Sequence, residues 1–591
     1  MDANARTIND ILNTRRKLDI PYYQRSYVWG EKQWKRFLED MENASLKDTK
    51  PYFIGSIILK QKPVPTNPEI GDVRTVIDGQ QRLSTMTIFF KVLSLMKGKP
   101  SIFDTFLISL NEDTDDDNEV KVVALDHNHI DKPWFDKIVD LETLEDIGVD
   151  GDGKELPNLN QIVKLYRYLK ANITDPSKFV ANRIKDKVLF VAIDLTYEEN
   201  EQQIFDTINS LGVTLTTSEL LKNYFFDRNN KTEYDKYWFP VFEKDDTQKA
   251  YWDKEVISGS TKTHLNDMFF TAYLTIKTHE AKYKVSAEDK LKYARVADMF
   301  DSYKEFIHKY ADDDKEGIMK EVNEYAKIFM NHFNPDCKEE AVSSIPGMER
   351  MNLIMFAHEV SVMVPYILFV HINVKDETEK NKIFAYLESY IMRRVICHSD
   401  TRGYYKLFYD SLLTNNVLDV NTLQDFINNK DDSRVIASPT DEEVWNCLQK
   451  KVLVNKQNTA ILYMLESRLR ANGSHATALL GYKYYSLEHM MPKKWQLTWD
   501  TSLPQETIDK RNEMLWTFGN LAIIPGKLNT SISNATWDVK LNGKGNRYGL
   551  TQNASGLLTL QPYLMKSIWD ENEIQNRAKD LYDKIIEVWK R

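Results

Sequence analysis

The residues best suited to chemistry lie near the C-terminal end of the sequence. Glu488 and His489 are adjacent there, and Asn520 and Asn529 follow further along the chain. An imidazole, with an ordinary pKa of about 6.5, can take a proton from water near neutral pH. Carboxylate and amide oxygens are hard ligands for a divalent cation, which can neutralise charge on a phosphate. Together these residue types predict a one-metal site that hydrolyses a phosphodiester.

The surrounding pattern predicts how these residues are positioned. Polar and apolar residues alternate over 485–488, which predicts a short strand that Pro492 ends. A second strand is predicted over 521–524 and ends at the turn signal Pro525-Gly526. A helix is predicted over 533–541, with Ser533 or Asn534 as its N-cap. Strand, loop, strand and helix in this order form the ββα-metal layout.

This stretch, from SLEHMMPKKW to FGNLAIIPGKLNTSISNATWDVK, resembles the His-Asn-His (His-Me finger) nucleases in the version with asparagine at the last position. The resemblance implies that His489 is the general base and that Glu488 and Asn529 hold Mg²⁺ or Mn²⁺. It also implies that Asn520 braces the loop that carries the histidine. Asn534 is a possible substitute metal ligand. The alternative interpretation is a buried, hydrogen-bonded histidine on a strand.

A second candidate site lies in RTVIDGQQRLSTMTIFF, which predicts a strand, a tight turn at Asp78-Gly79 and a helix. Backbone N–H groups at such a turn favour an anion. Gln80 and Gln81 can supply amide contacts, and Arg82 a planar, permanently charged fork for phosphate. The alternative is a structural turn whose arginine makes an ion pair. The chain contains no GxxxxGK[ST] motif.

The segments IPYYQRSYVW, YFIGSIIL and VIDGQQRLSTM, in this order, resemble the DGQQR-motif N-terminal domain of the GmrSD and SspE type modification-dependent (type IV) restriction enzymes. The resemblance implies a ParB/sulfiredoxin-like fold that hydrolyses a nucleoside triphosphate. It further implies that the nucleotide phosphates are surrounded by Gln24, Arg25, Asp78, Gly79, Gln80, Gln81 and Arg82. The segment 386–412 resembles the part that leads into the nuclease half of these enzymes. Arg393 and Arg394 in that segment either touch DNA phosphate or tie helices together.

Composition narrows the class of protein. A chain of 591 residues is expected to hold two to four domains. Its three scattered cysteines form no CxxC pair, which argues against a disulfide framework and a cysteine zinc site. No apolar run reaches eighteen residues and the N-terminus lacks a signal-peptide core, so we expect a cytoplasmic protein without a membrane span.

Charge is unevenly distributed along the chain. The formal net charge of -10 does not indicate a general DNA binder. Between residues 514 and 569, however, five basic residues face one acidic residue, a local excess of four. Because attraction to phosphate is local to the binding face, Lys527 and Lys540 are candidate DNA contacts.

Hydrophobic patterning elsewhere predicts helices over 7–18 and after Gly30, strands at 51–60 and 188–195, and a pair of helices over 199–226. We predict an α+β, predominantly helical fold, with a ParB-like domain at 1–230, a helical middle region at 231–473 and a ββα-metal nuclease embedded in helices at 474–591. Asp126-His127-Asn128-His129 could bind a metal, but a surface loop is the favoured interpretation. The acidic stretch 111–119 departs from the calcium-loop template and is interpreted as a solvated loop.

These features together predict a nucleotide-regulated, metal-dependent DNA endonuclease or nickase with NTPase activity, directed at modified, foreign double-stranded DNA such as that of phages. The alternative is a nucleotide-switched DNA-binding or regulatory protein in which the nuclease fold is unused. The sequence is also compatible with a homo-oligomer.

Overall fold

The computed structural model describes most of the chain. The described residues are 2–12, 16–47, 50–62, 72–109, 121–150, 152–154, 156–157, 159–196, 216–226, 230–259, 261–295, 298–428, 435–450, 455–471, 477–532, 534–545 and 548–591. The chain divides into two compact units, Met1–Asp246 and Thr247–Arg591. The predicted middle and nuclease regions therefore fall largely within one unit.

The first unit is built on a six-stranded mixed sheet in the order β1-β8-β3-β4-β2-β7. Strands β1 and β8 pair antiparallel, as do β3 and β4, whereas the other neighbours in the sheet are parallel. The strands of this unit are β1 Asp2–Thr7, β2 Arg16–Asp19, β3 Tyr52–Gln61, β4 Asp72–Asp78, β5 Leu107–Ser109, β6 Lys121–Val123, β7 Leu125–Asp126 and β8 Val188–Leu195. The helices are α1 Ile8–Leu12, α2 Glu31–Ala44, α3 Gln80–Lys97, α4 Lys132–Val139, α5 Gln161–Asn172, α6 Ala181–Lys187, α7 Thr217–Phe225 and α8 Lys231–Glu233, which continues as a π-helical stretch over Tyr234–Glu243.

Helix α3 occupies the centre of this unit. Its apolar residues are buried together with core residues of the sheet such as Ile57 and Val76. Gly79 precedes the helix with φ of 95°, a left-handed conformation that favours glycine. A Cβ at this position would lie 2.5 Å from Ile57, so both the backbone angle and the packing require glycine. The turn that opens α3 is therefore closely set against β3.

Most predicted elements of the first unit are confirmed. The structure contains the predicted helix after Gly30, the strand at 51–60, the strand-turn-helix at 74–90 and the strand at 188–195. The predicted helix over 7–18 is confirmed only at 8–12, where α1 forms, and is wrong at 16–18, which belong to β2. Parallel pairing of β2 with β4 and β7 holds these residues in a strand, and this tertiary effect outweighs the local helical pattern. Residues 111–119 lie outside the described residues, as does most of the predicted helix pair at 199–226.

The second unit is mostly helical. Its helices are α9 Asp246–Trp252, which begins at the boundary, α10 Leu265–His279, α11 Ala287–Tyr293, α12 Met299–Tyr310, α13 Lys315–His332, α14 Met348–Asn352, α15 Val364–Asn373, α16 Glu377–Ile396, α17 Arg402–Lys406, α18 Leu412–Thr414, α19 Val420–Asn428, α20 Asp441–Leu448, α21 Asn455–Leu469, α22 Gln505–Met514, α23 Gly526–Ile532, α24 Trp537–Asn542, α25 Leu550–Asn553 and α26 Glu571–Val588. Two antiparallel pairs complete the unit: β9 Glu255–Ser258 with β10 Thr261–His264, and β11 Tyr485–His489 with β12 Leu521–Pro525.

A buried ion pair ties several of these helices together. Arg350 and Glu388 form two hydrogen bonds of 2.7 Å, from Nε to Oε2 and from Nη2 to Oε1. Trp589 also donates its indole N–H to Glu388. Because a buried charge requires a partner, this pair fixes α14 against α16 and holds the end of the chain beside them.

The predicted fold class is confirmed, since the chain is α+β and predominantly helical. Within the described residues, no helix combines the length and apolar character that crossing a membrane would require.

Candidate functional site

The strand pair β11–β12 presents Glu488 and His489 at its end. In the register of this pair, Glu488 lies opposite Ala522 and His489 opposite Leu521. Alternation along a strand sends the Glu488 and His489 side chains to opposite faces. The two strands were predicted as observed, but the following helix was not. The chain forms α23 directly after β12, and α24 starts only at Trp537.

The Glu488 carboxylate is held by Lys540. The ammonium group of Lys540 bonds to Oε1 of Glu488 and donates a hydrogen bond of 2.8 Å to the main-chain carbonyl of His489. Burial raises the pKa of Glu488 above its usual value, and the neighbouring Lys540 opposes that rise. Burial also lowers the pKa of Lys540. The pair thus joins α24 to the end of β11.

His489 is held in its neutral form. Burial lowers its pKa to about 3, with Lys493 and Lys540 adding to the effect. The side chain is 8% exposed, and its ring nitrogens are not among the buried polar atoms that lack a partner. Most of the residue is therefore buried, and no hydrogen bond joins its ring to another described residue. The edge of the ring packs against Trp516 at 5.4 Å between centroids, and Lys493 lies over the same indole.

Asn520 is fully engaged with the segment that follows His489. Its Nδ2 donates to the carbonyls of Met491 and Leu515, and its Oδ1 accepts from the Met491 N–H and the Trp569 indole, all at 2.8–3.0 Å. With all these groups paired, Asn520 is a bracing residue and has no acceptor left for a metal.

Asn529, on α23, is held in place by hydrogen bonds from its amide nitrogen. Its Nδ2 donates to the Ser486 hydroxyl at 3.0 Å and to the Leu487 carbonyl at 2.9 Å. These bonds leave its Oδ1 as an acceptor beside β11. The substitute ligand Asn534 is exposed, and its main-chain carbonyl accepts from Thr498.

The donor atoms at this site suit a hard divalent cation. The Glu488 carboxylate and the Asn529 amide oxygen are both oxygen ligands of the kind Mg²⁺ and Mn²⁺ prefer. No group of three His, Cys, Asp or Glu side chains that could hold a metal occurs among the described residues. Any metal here would therefore depend on the asparagine and on water as well as on one carboxylate.

The structure also shows bracing residues that the sequence interpretation missed. Arg577 of α26 is fully buried and donates to the carbonyls of Thr559, Phe518, Gly519 and Leu521. A Cβ on Gly519 would lie 2.0 Å from the Ile574 carbonyl, so α26 packs directly against this turn. Helical spacing in the sequence could have identified Arg577 as buried. It lies on the same face of the helix as the apolar residues Ile574, Ala578, Leu581 and Ile585.

In the first unit, three glutamine side chains connect the loop at residues 24–29 to the end of β4 and the start of α3. Gln24 donates its amide to the carbonyls of Val76 and Ile77 at 2.8 and 3.1 Å. Gln80 donates to the Arg25 carbonyl at 3.3 Å. Gln81 accepts from the N–H groups of Val28 and Trp29 and donates to the Ser26 carbonyl. These amide nitrogens, predicted to meet a nucleotide, therefore bond to the main chain.

The charged side chains near this turn are less completely hydrogen-bonded than the glutamines. Arg82 donates to the Ser56 carbonyl at 2.9 Å and lies 3.9 Å from Asp78. Its guanidinium rests on Gly55, where a Cβ would come within 2.5 Å of Nε. Arg25 is 3.9 Å from Glu219. Both guanidinium groups and the first N–H groups of α3 remain able to meet an anion.

The loop at 126–129 is structural, and the interpretation of it as a surface loop is wrong. His127 and Asn128 are buried, and His127 Nε2 lies 2.8 Å from the Ser84 hydroxyl of α3. Its Nδ1 accepts from the Asn128 N–H, which places the ring proton on Nε2. Asn128 donates to the Arg25 carbonyl and so supports the same loop.

Three of the four proposed DNA contacts are buried. Lys540 is paired with Glu488, as described above. Arg393 donates to the carbonyls of Pro439 and Trp589 and pairs with Asp441, and Arg394 donates to several main-chain carbonyls. Both arginines therefore tie helices together, which was the alternative prediction, because their burial keeps them from a DNA phosphate. The side chain of Lys527 lies outside the described residues.

A neutral imidazole at the end of a strand, next in sequence to a carboxylate, is an arrangement expected of a phosphodiester hydrolase. Comparison with known families agrees with this class. Residues 8–226 match the N-terminal domain of the GmrSD restriction endonuclease, and residues 438–584 match the C-terminal domain of the GmrSD restriction endonucleases. The chain belongs to this family and is a DNA endonuclease of the restriction type. No curated protein matches the chain significantly.

Proposed function

We propose that the chain cuts or nicks modified double-stranded DNA with the help of a divalent cation, and that a nucleoside triphosphate bound at the α3 turn regulates the cut. The observation that carries the proposal is the neutral His489 next in sequence to the buried carboxylate of Glu488, in a chain with both GmrSD domains.

The chain's own residues account for the proton transfer. His489 takes a proton from water as the water oxygen forms a bond to phosphorus, and the bond from phosphorus to the 3′-oxygen breaks. Glu488 and Asn529 would hold Mg²⁺ or Mn²⁺, and Asn520 and Arg577 keep the histidine segment in place. A bound cation supplies neutralisation of the charge that develops on the phosphate and the leaving oxygen.

The proposal for the first unit rests on the α3 turn. The buried Gln24 and Gln80 tie the loop that carries Arg25 to the end of β4 and the start of α3, where Asp78, Gly79 and Arg82 lie. Helix N–H groups and two guanidinium groups form a set that suits polyphosphate binding. The inferred role is binding and hydrolysis of a nucleoside triphosphate.

The test is cleavage of supercoiled plasmid and of differently modified phage DNAs, with Mg²⁺ or Mn²⁺ and with each nucleotide. We expect nicked circles for the native chain and a loss of at least about 100-fold for His489→Ala, because general base catalysis contributes this much. Binding of DNA should persist in the variant. Full-rate cleavage by His489→Ala would refute the role of the histidine, and no cleavage of any DNA by the native chain would favour the nucleotide-switched DNA-binding alternative.

A further inference from the structure

Lys540 occupies an unusual position for a basic residue of a nuclease. Its side chain is 0% exposed, so a DNA phosphate cannot reach its ammonium group. It lies on the inner face of α24 together with Trp537 and Leu541. Burying an ammonium group costs free energy unless its charge is paired, and the pairing here is with Glu488.

The contacts of Lys540 converge on the two residues proposed to do the chemistry. One N–H bonds to Oε1 of Glu488 and another donates to the carbonyl of His489. The first bond selects which carboxylate oxygen remains available, and the second fixes the end of β11. Partners of this kind orient the ligands of metal sites and tune their affinity.

We propose that Lys540 is a positioning residue that orients Glu488 and offsets part of its negative charge, and so sets how strongly the site binds a divalent cation. The inference rests on the proposed function, because it assigns Glu488 to a cation. A lysine that contacts DNA would instead affect DNA affinity, and a lysine in a purely structural ion pair would affect stability alone.

The experiment compares Lys540→Met with two matched lysine variants in the full chain. Lys380 of α16 is also buried and pairs with Glu377, so Lys380→Met controls for loss of a buried lysine. Lys493 is exposed beside Trp516, so Lys493→Met reports on a lysine that DNA can reach. Mn²⁺ affinity is measured without DNA by electron paramagnetic resonance at pH 8, and DNA affinity is measured without metal over a range of salt concentrations.

We expect Lys540→Met to bind Mn²⁺ about tenfold more tightly, because Glu488 then offers its full charge to the cation, and to cleave about 10–100-fold more slowly, because its carboxylate is no longer oriented. Its DNA affinity and salt dependence should match the native chain. Lys380→Met should leave Mn²⁺ affinity unchanged, and Lys493→Met should reduce the salt slope of DNA binding by about one.

A double variant makes the outcome decisive even if Lys540→Met is less stable. In a Glu488→Gln background, the Lys540→Met change should no longer alter Mn²⁺ affinity, because Lys540 acts through Glu488. Native Mn²⁺ affinity in Lys540→Met, or an equal effect in both backgrounds, would overturn the inference. Failure of the native chain itself to bind Mn²⁺ would instead contradict the proposed function.

Discussion

Single polar side chains determine the geometry around His489. Asn520 closes the segment after the histidine by bonding to both the N–H and the carbonyl of Met491. Lys540 holds the carbonyl of His489 itself. The main chain is thereby held at His489 and at Met491, while the ring of His489 forms no hydrogen bond with another described residue. This is the arrangement a general base needs, because the ring must keep its position and still be able to accept a proton.

Buried histidines elsewhere in the second unit predict acid sensitivity. His371 of α15 stacks on His332 at 4.1 Å between centroids, and neither of its ring nitrogens has a hydrogen-bond partner among the described residues. Burial, together with the nearby His332 and Lys380, lowers its pKa to about 3. The unfolded chain binds a proton at about pH 6.5, so the folded state loses stability as the pH falls from about 6.5 towards 3.

We expect His371→Leu to flatten this loss, which for one such histidine amounts to roughly 4–5 kcal/mol at the acid end. The measurement is the free energy of unfolding in urea between pH 7 and pH 4. His308→Leu, at an exposed histidine of α12, serves as control and should keep the native slope. An unchanged slope in His371→Leu would show that other groups carry the acid response.

At the scale of elements, α26 is the principal support of the nuclease site. This last helix of the chain packs against the turn at Phe518–Asn520, and Gly519 permits the close approach. Arg577 reaches from the helix to the carbonyls on both sides of Asn520. The strand pair carries the residues proposed to do the chemistry, and α26 supports the turn from which β12 begins.

Removing that support should therefore affect both folding and cleavage. Arg577→Met leaves up to four buried carbonyls without a donor, and we expect a loss of about 3 kcal/mol in the free energy of unfolding, together with reduced cleavage. Lys579→Met, at an exposed position of the same helix, is the control. Native stability in Arg577→Met, measured by urea unfolding, would mean that the turn holds without α26.

At the scale of the whole molecule, the two candidate sites belong to separate units. The turn with Arg82 lies in Met1–Asp246, and His489 lies in Thr247–Arg591. The proposed control of cleavage by a nucleotide therefore requires communication between units. A variant of the first site should leave the local chemistry of the second unchanged.

Arg82→Ala is expected to abolish nucleotide hydrolysis, because it removes a guanidinium at the proposed phosphate site, and to leave Mn²⁺ affinity at native strength. Arg36→Ala, at an exposed arginine of α2, is the matched control. Phosphate release and plasmid nicking are measured side by side. If the variant still nicks DNA without hydrolysing nucleotide, hydrolysis serves to release the enzyme from DNA. If both activities are lost, hydrolysis is required for cleavage. Full hydrolysis by Arg82→Ala contradicts the proposed site.

The sequence alone was sufficient for the elements whose signals are local. Alternation and turn residues located β11, β12, β4 and the start of α3, because a period of two and a glycine turn are determined within a few residues. The same local information placed a histidine, a carboxylate and amides in one segment. It failed for the second half of the first predicted helix, where pairing of β2 with β4 and β7, much further along the chain, decided the structure.

Only the tertiary structure decided what each polar side chain touches. Lys540 and Arg393 look like solvent-facing cations in the sequence, but they are buried and paired with groups far along the chain. Gln80 and Gln81 look like ligand contacts, but they bond to a loop some fifty residues earlier. Burial and long-range partners depend on how distant elements pack, and the pattern of neighbouring residues carries no information about that packing.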